Sequence, residues 1–228
     1  MKNGKPLPPG QYASEVFHRF GLTQFARRFP TNTERIELRI GGDVRESCVI
    51  SDELGLLPRI EQVSDFHCVT TWSRCGLRWG GVRFADVFER IIVPLAAPET
   101  DATFVVLRGQ DGGRTSMPLE DLMAPDVMLA DRLEGEPLPV AHGAPVRIIT
   151  PGHYGYKSVK HLCQIDFWRE GARYRPAGFR FMEHPRARVA LEERGIGVPG
   201  ILLRYLYRPL VRPTAARFRR AMEEHERG

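Results

Sequence analysis

Hydrophobic and polar positions change rhythm several times along this chain, and each change marks an element. Residues 35–47, RIELRIGGDVRES, alternate apolar with polar and then meet Gly-Gly-Asp, which predicts a strand entering a hairpin. SDELGLLP, residues 51–58, reads as a short capped helix stopped by Pro58. RIEQVSDFHC alternates again and delivers Cys68 at the end of a strand. In FADVFERIIVPL, Phe84, Val87, Phe88 and Ile91 fall at helical spacing, with Pro94 expected to end the element. TFVVLRGQDGGRTSMP predicts two strands around Asp111-Gly112-Gly113, and DVMLADRLEGEPLP, APVRIITP and QIDFW predict further strands. From about residue 184 the pattern turns helical, in PRARVALEERG, PGILLRYLYRPLV and PTAARFRRAMEEHERG. Residues 1–30 are punctuated by Pro and Gly and carry an aromatic stretch, EVFHRFGLTQFARRF, which reads as an irregular arm draped over a core. Many short strands, few helices and no regular βα alternation predict an α+β fold with a helical C-terminal extension.

Composition narrows the picture. The chain has 228 residues, 42% of them hydrophobic and 27% charged, as in an ordinary globular protein. No apolar run approaches the roughly 18–20 residues that span a bilayer. The segment MKNGKPLPPGQYASEVF contains no apolar core of signal-peptide type, and four cysteines are too few for a disulfide framework. A cytoplasmic location is the expectation. No G-x-G-x-x-G follows a strand and no P-loop sequence occurs, so nucleotide-binding folds gain no support.

Charge changes the picture further. The net charge is +5, yet residues 169–228 hold fourteen Arg and no Lys against seven Glu. A solvated basic face and an anionic partner both account for that asymmetry. No RNA-binding motif accompanies it, so nucleic acid is not expected as a partner. Only four lysines stand beside twenty-nine arginines, and two of them, Lys157 and Lys160, share one motif. Where Arg is the default cation, two close lysines mark positions that need a compact point charge.

Two stretches could carry chemistry. In SDFHCVTTWSRCGLRWGG, Cys68 sits among Thr, Trp and Arg. A lone cysteine can be a small buried hydrophobe, a soft metal ligand or a nucleophile. Zinc fits badly, because Cys68 and Cys75 are seven apart and no C-x-x-C or H-x-x-x-H pair completes a tetrahedral site. His142 or His153 could pair with a cysteine nucleophile, although no local motif marks it. In AHGAPVRIITPGHYGYKSVKHL, cations, a hydroxyl and backbone N–H groups gather on a turn, as a phosphate tail needs. The alternative is a β-turn with surface lysines.

Taken together, Cys68-Val69-Thr70-Thr71-Trp72-Ser73 and His142-Gly143-Ala144-Pro145-Val146-Arg147…Tyr154-Gly155-Tyr156-Lys157-Ser158-Val159-Lys160 resemble the sulfite oxidase-like family of molybdopterin-dependent oxidoreductases. The likeness is to its compact bacterial branch, related to methionine sulfoxide reductase catalytic subunits, and covers roughly residues 8–182. It implies a mixed-strand sulfite oxidase-type molybdopterin-binding fold over residues 1–183; the Arg-rich helical extension, 184–228, is read from the residues and has no counterpart in the resemblance. It implies Cys68 as a thiolate ligand of molybdenum, with Thr70 and Trp72 beside it. His142, Arg147, Ser158, Val159 and Lys160 would hold the pterin and its phosphate, with Lys157 helping to neutralise the tail.

QFARRFP resembles a further pterin-contacting segment, in which Phe25 and Arg27 fit while Arg28 and Phe29 depart from the pattern. Tyr174 matches a tyrosine that faces the metal pocket and would act on the transferred oxygen. Arg74 and Arg78 are candidates for an anionic substrate. The implied cofactor is molybdenum-molybdopterin, and the implied activity is two-electron oxygen-atom transfer on a small S-oxide, N-oxide or sulfite-like substrate. A non-catalytic pterin- or partner-binding module is the alternative. Lacking a haem-attachment motif or an iron–sulfur cysteine cluster, the chain would need an external electron-transfer partner. The basic helices would dock on the core, bind a partner or lie peripherally on an anionic membrane.

Overall fold

A computed structural model describes residues 6–227; Lys2 and Lys5 lie outside the described residues. Two sheets carry the fold. The first is built on β4 (Ile60–His67) and the twelve-residue β5 (Trp72–Arg83), paired antiparallel. The short β1 (Tyr12–Ala13) runs parallel to the start of β5, and β8 (Met128–Leu133) pairs with its far end. β9 (Glu136–Pro137) and β10 (Arg147–Ile149) both pair with β8. The second sheet has the order β3 (Cys48–Ile50), β2 (Leu38–Gly42), β11 (Leu162–Trp168), β6 (Phe104–Gly109), β7 (Arg114–Pro118). Its β2–β11 pair is parallel and the others are antiparallel.

Alternation along β2 explains why it forms: Leu38 and Ile40 are fully buried, and Arg39 between them is exposed. Leu38, Ile40, Val105, Leu107, Ile165 and Phe167 of the second sheet meet Val82, Leu129 and Ile148 of the first in one continuous core. A helix of three parts caps that core: α1 (Phe84–Val87), a wide π turn (Phe88–Ile92) and α2 (Val93–Ala96). Phe84, Val87, Ile91 and Ile92 face inward at the expected spacing. Pro94 does not stop this helix. It lies just past the π turn, as the second residue of α2, and the helix ends at Ala97 in the left-handed region (φ +44°). A short helix, α3 (Leu119–Leu122), follows β7.

The expected helix at 185–195 is not formed. His184 Nδ1 accepts from the Ala187 N–H (2.9 Å), and Glu193 accepts from the Arg188 backbone and guanidinium at 2.6–3.0 Å. Side chains thus take up the backbone donors that a helix would have used, and the segment coils against the 152–154 turn. Two real helices close the chain: α4 (Gly200–Tyr207) and α5 (Val211–His225). Leu203 and Tyr207 of α4 are buried, Val211 packs with Trp72 at the start of β5, and Phe218 packs with Ala26 of the arm.

Candidate active site

Cys68 opens the four-residue turn between β4 and β5. Its N–H donates to the Trp72 carbonyl (2.8 Å), and its carbonyl accepts from Thr71 N–H (3.1 Å) and Gln11 Nε2 (3.1 Å). Thr71 holds φ +88°, a conformation rarely taken by a β-branched residue, and its carbonyl is tied to Tyr12 N–H at 2.9 Å. Arg194, fully buried, donates to the Val69 carbonyl from the other side. The turn is therefore held at each of its four residues, since Thr70 Oγ1 lies 3.1 Å from Cys68 Sγ. Burial pushes the Cys68 thiol up to about 11, against the Thr70 bonds and the charge of Arg194. A thiol so placed stays protonated at neutral pH, which argues against an activated nucleophile. Coordination to a metal would deprotonate it.

Beside Cys68 lies a cavity of about 360 Å³, within the usual size range of small-molecule sites. Cys68, Thr70 and Trp72 form one part of its wall, and Phe17, Phe20 and Phe25 of the arm form another. A third part comes from His142, Arg147, Ser158, Val159 and Lys160. Gly143 (φ +119°) lets this segment turn where a Cβ would press on Arg147 Cβ (3.0 Å) and on Lys160 Cα (3.3 Å). Arg147 is buried with its terminal nitrogens on the carbonyls of His142 (2.9 Å) and Ser158 (2.8 Å), while its Nε has no partner among the described residues. Burial pulls Arg147 down to about 9 and Lys160 to about 8. Burial, then Arg147 and Lys160, pull His142 down to about 3, and its ring stacks on Phe17 at 4.2 Å. Arg147 and Lys160 both stay charged at neutral pH, and cations whose charge is held at a desolvation cost form a site for an anion, which would offset that cost.

The residues fit a molybdenum-bearing pterin on this ground. The cavity offers one thiol, a cationic wall and an unpaired guanidinium N–H. Among the described residues no group of three or more His, Cys, Asp or Glu side chains could hold a metal ion, so a metal at Cys68 would bring its other ligands with it.

Of the residues singled out in the sequence, Cys68, Phe25, His142, Arg147, Ser158, Val159 and Lys160 share this cavity. Arg27 does not: it is exposed and pairs with Glu224 of α5 at 3.1 Å. Lys157 is fully buried away from the cavity, with Nζ donating to the Ser116 carbonyl (2.5 Å) and 3.8 Å from Glu183. Tyr174 stands one residue back. Its hydroxyl donates to the Glu183 carboxylate (2.8 Å), and burial together with that carboxylate drives its pKa far up. Glu183 itself lines the cavity, a residue the motifs did not reveal. Arg74 and Arg78 are not among the lining residues; Arg78 is exposed and donates to the Glu134 carbonyl. Also unforeseen were Phe17 and Phe20, although their aromatic spacing was visible, and Tyr207, Leu210, Thr214 and Phe218 from the last two helices.

A buried thiol and a cationic wall in one cavity, on an α+β frame of two sheets, are the lining of a domain that binds an anionic cofactor. Residues 26–174 match the family described as Oxidoreductase molybdopterin binding domain, and the chain belongs to it; its cofactor is molybdenum-molybdopterin. Among known proteins it is similar to the oxidoreductase YuiH of Bacillus subtilis, 37% identical over 58% of this chain and 65% of that protein. It is also similar to the protein-methionine-sulfoxide reductase catalytic subunit MsrP of Campylobacter jejuni, 26% identical over 73% of this chain and 64% of that protein. The chain thus spans just under two thirds of these two relatives. In fold it resembles the sulfane dehydrogenase SoxCD of Paracoccus pantotrophus, with a TM-score of 0.53, 22% identity, and 61% of this chain and 40% of that chain covered.

Proposed function

We propose that the chain is a molybdenum-dependent oxidoreductase acting on a small S-oxide, with Cys68 as the thiolate ligand of the metal. The observation that carries this reading is the buried Cys68 thiol in the wall of the same cavity as Arg147 and Lys160. When bound, the cofactor supplies a metal centre that exchanges two electrons and one oxygen atom. Arg147, Lys160 and the backbone around Ser158 and Val159 anchor its anionic part. His142 is kept neutral and stacked on Phe17, and Phe25 lies along the wall. Trp72, Phe17 and Phe20 exclude water.

Reduction of an S-oxide consumes two electrons and two protons, breaks the sulfur–oxygen bond and releases a thioether and one water. Protons must therefore reach the cavity. Two carboxylates line the wall, Asp111 and Glu183; Asp111 accepts from the Gly113 N–H (2.9 Å), and Glu183, to which the Tyr174 hydroxyl donates from behind, is the one we assign to pass a proton. Tyr174 thereby acts through Glu183. An external electron-transfer partner supplies the electrons.

Two observations favour an S-oxide over a sulfite-like anion. The outer part of the wall, Phe179, Met182 and Leu210, is apolar, and Arg114, which also lines the cavity, is engaged by the Arg175 and Pro176 carbonyls (2.8 and 3.3 Å). One relative is itself a protein-methionine-sulfoxide reductase subunit.

The test is molybdenum content and S-oxide reduction in protein purified from a host that makes the cofactor, with Cys68→Ser beside it. The expected result is near-stoichiometric metal in the wild type and loss of turnover by at least about 10³-fold in Cys68→Ser. Equal activity in both removes the ligand assignment. Metal-replete wild type without turnover of S-oxides makes the domain a binding module.

A further inference from the structure

We propose that the outer face of α4 and the adjoining part of α5 form a docking surface for an anionic lipid membrane. A surface helix ordinarily turns apolar residues inward and polar ones to solvent. Helix α4 is apolar on both sides. Leu203 and Tyr207 are buried at 2% and 3% exposure, yet Ile201, Leu202, Tyr205 and Leu206 are 51–67% exposed. The patch continues off the helix: the Ile196 N–H donates to the Phe181 carbonyl (2.8 Å), and the half-exposed Phe181 stacks on Phe179 at 6.0 Å.

Charge identifies the occupant. From Gly195 to Met222 the chain holds six arginines and no acidic residue. Arg204 is bound to Glu192 at 2.6 Å, but Arg208, Arg212, Arg217 and Arg220 are exposed and form no ion pair among the described residues. Exposed leucines and a tyrosine beside unpaired arginines are what the interface of an anionic bilayer accepts. No helix among the described residues is long and apolar enough to cross a membrane, so α4 lies on the surface. The patch reaches the cavity: Phe179 and Leu210 line it and are 73% and 48% exposed. Docking sets the cavity mouth at the lipid surface. This inference is independent of the metal.

The experiment is flotation of the full chain with vesicles of phosphatidylcholine alone or mixed with phosphatidylglycerol. Two double variants at exposed positions accompany it, Leu202→Asp with Leu206→Asp and Arg212→Gln with Arg217→Gln, each checked for an unchanged circular-dichroism spectrum and melting curve. The wild type is expected on the anionic vesicles, and at least tenfold less on the neutral ones. Each arginine removed should weaken partitioning about fivefold, and the leucine pair by about tenfold or more. Failure to float with anionic vesicles overturns the proposal, as does binding that neither double variant weakens. A dimer in lipid-free solution that Leu202→Asp with Leu206→Asp dissolves also overturns it, because the face then belongs to a second copy.

Discussion

Arg194 reaches across 125 positions of sequence to the Val69 carbonyl, in the turn that presents Cys68. It also donates to the Pro9 carbonyl (3.1 Å) and to Glu192 (3.1 Å), and its guanidinium lies 4.9 Å from the Tyr154 ring. Removing it strands two backbone acceptors, whereas Glu192 keeps Arg204 as partner. Arg194→Ala is therefore expected to cost about 1–3 kcal/mol in urea denaturation, the penalty of buried acceptors left unpaired. It should also lower molybdenum retention more than Arg204→Ala does, since Arg204 does not touch the turn; equal retention would leave Arg194 with a purely structural role. Two histidines make a second prediction: His142 of the cationic wall and its fully buried neighbour in the fold, His161, which does not line the cavity and whose Nδ1 lies 2.7 Å from the Ala144 carbonyl. Burial holds His142 at about 3 and His161 at about 4, both below the ordinary 6.5. The native protein keeps them neutral, so on acidification the unfolded chain takes up protons first. Stability is then complete above about pH 6.5 and falls as pH drops toward 4, by about 1.4 kcal/mol per pH unit for each ring. Melting curves taken across that window should show the slope, and His142→Asn should roughly halve it.

Strand β5 shows how an element couples packing to register. Its pairing with β8 shifts between Gly80 and Gly81, and a Cβ on Gly81 would lie 2.0 Å from the Leu129 carbonyl oxygen. Backbone there cannot yield as a side chain would. Gly81→Ala is expected to destabilise the protein by about 1–3 kcal/mol, measured by denaturant titration, through forced separation of β5 from β8. Gly80→Ala, whose Cβ meets only the Arg132 side chain, should cost less. The same strand marks where reading the sequence failed. Segments with clean alternation, such as β2 and β4, and the FVVL run of β6, announced themselves because one face or both are buried. WSRCGLRWGGVR mixes Trp, Arg and Gly without a period, and its strand character comes from pairing with three other strands. Likewise 185–195 has helical composition, but Glu193 is captured by Arg188 of the same segment and Glu192 by Arg204 of α4. The site divides along the same line. Cys68 and the His142–Lys160 wall were legible because each lies in a short contiguous run. Glu183, Phe17 and Phe20 reach the cavity by long-range packing that no local pattern encodes. Arg27, Lys157 and Tyr174 matched motif positions but do not line the cavity: Arg27 pairs with Glu224, while Lys157 and Tyr174 stand behind the wall on Glu183.

At the scale of the whole molecule, the last helix folds back on the first thirty residues and supplies part of the cavity wall. Phe218 of α5 is 1% exposed, stacks on Phe20 at 6.3 Å and lies 5.8 Å from the Lys160 ammonium. The arm has little regular structure of its own; Phe17 is held by Phe66, Trp72 and Trp79, whereas Phe20 leans on Phe218 of α5. Phe218→Ala should cost about 3–5 kcal/mol, as for other buried aromatic truncations. Its more telling consequence falls on Cys68. Burial is what raises that thiol, so a wall loosened at Phe218 should admit water, lower its pKa and open it to alkylation. Mass spectrometry of cofactor-free protein should find Cys68 alkylated at least about tenfold faster in Phe218→Ala, with the partly exposed Cys48 and Cys75 unchanged. Wild type brought to the same stability with urea separates this local opening from global unfolding. If the two samples react alike at Cys68, α5 stabilises the fold without sealing the site, and the cavity wall is held by the sheets alone.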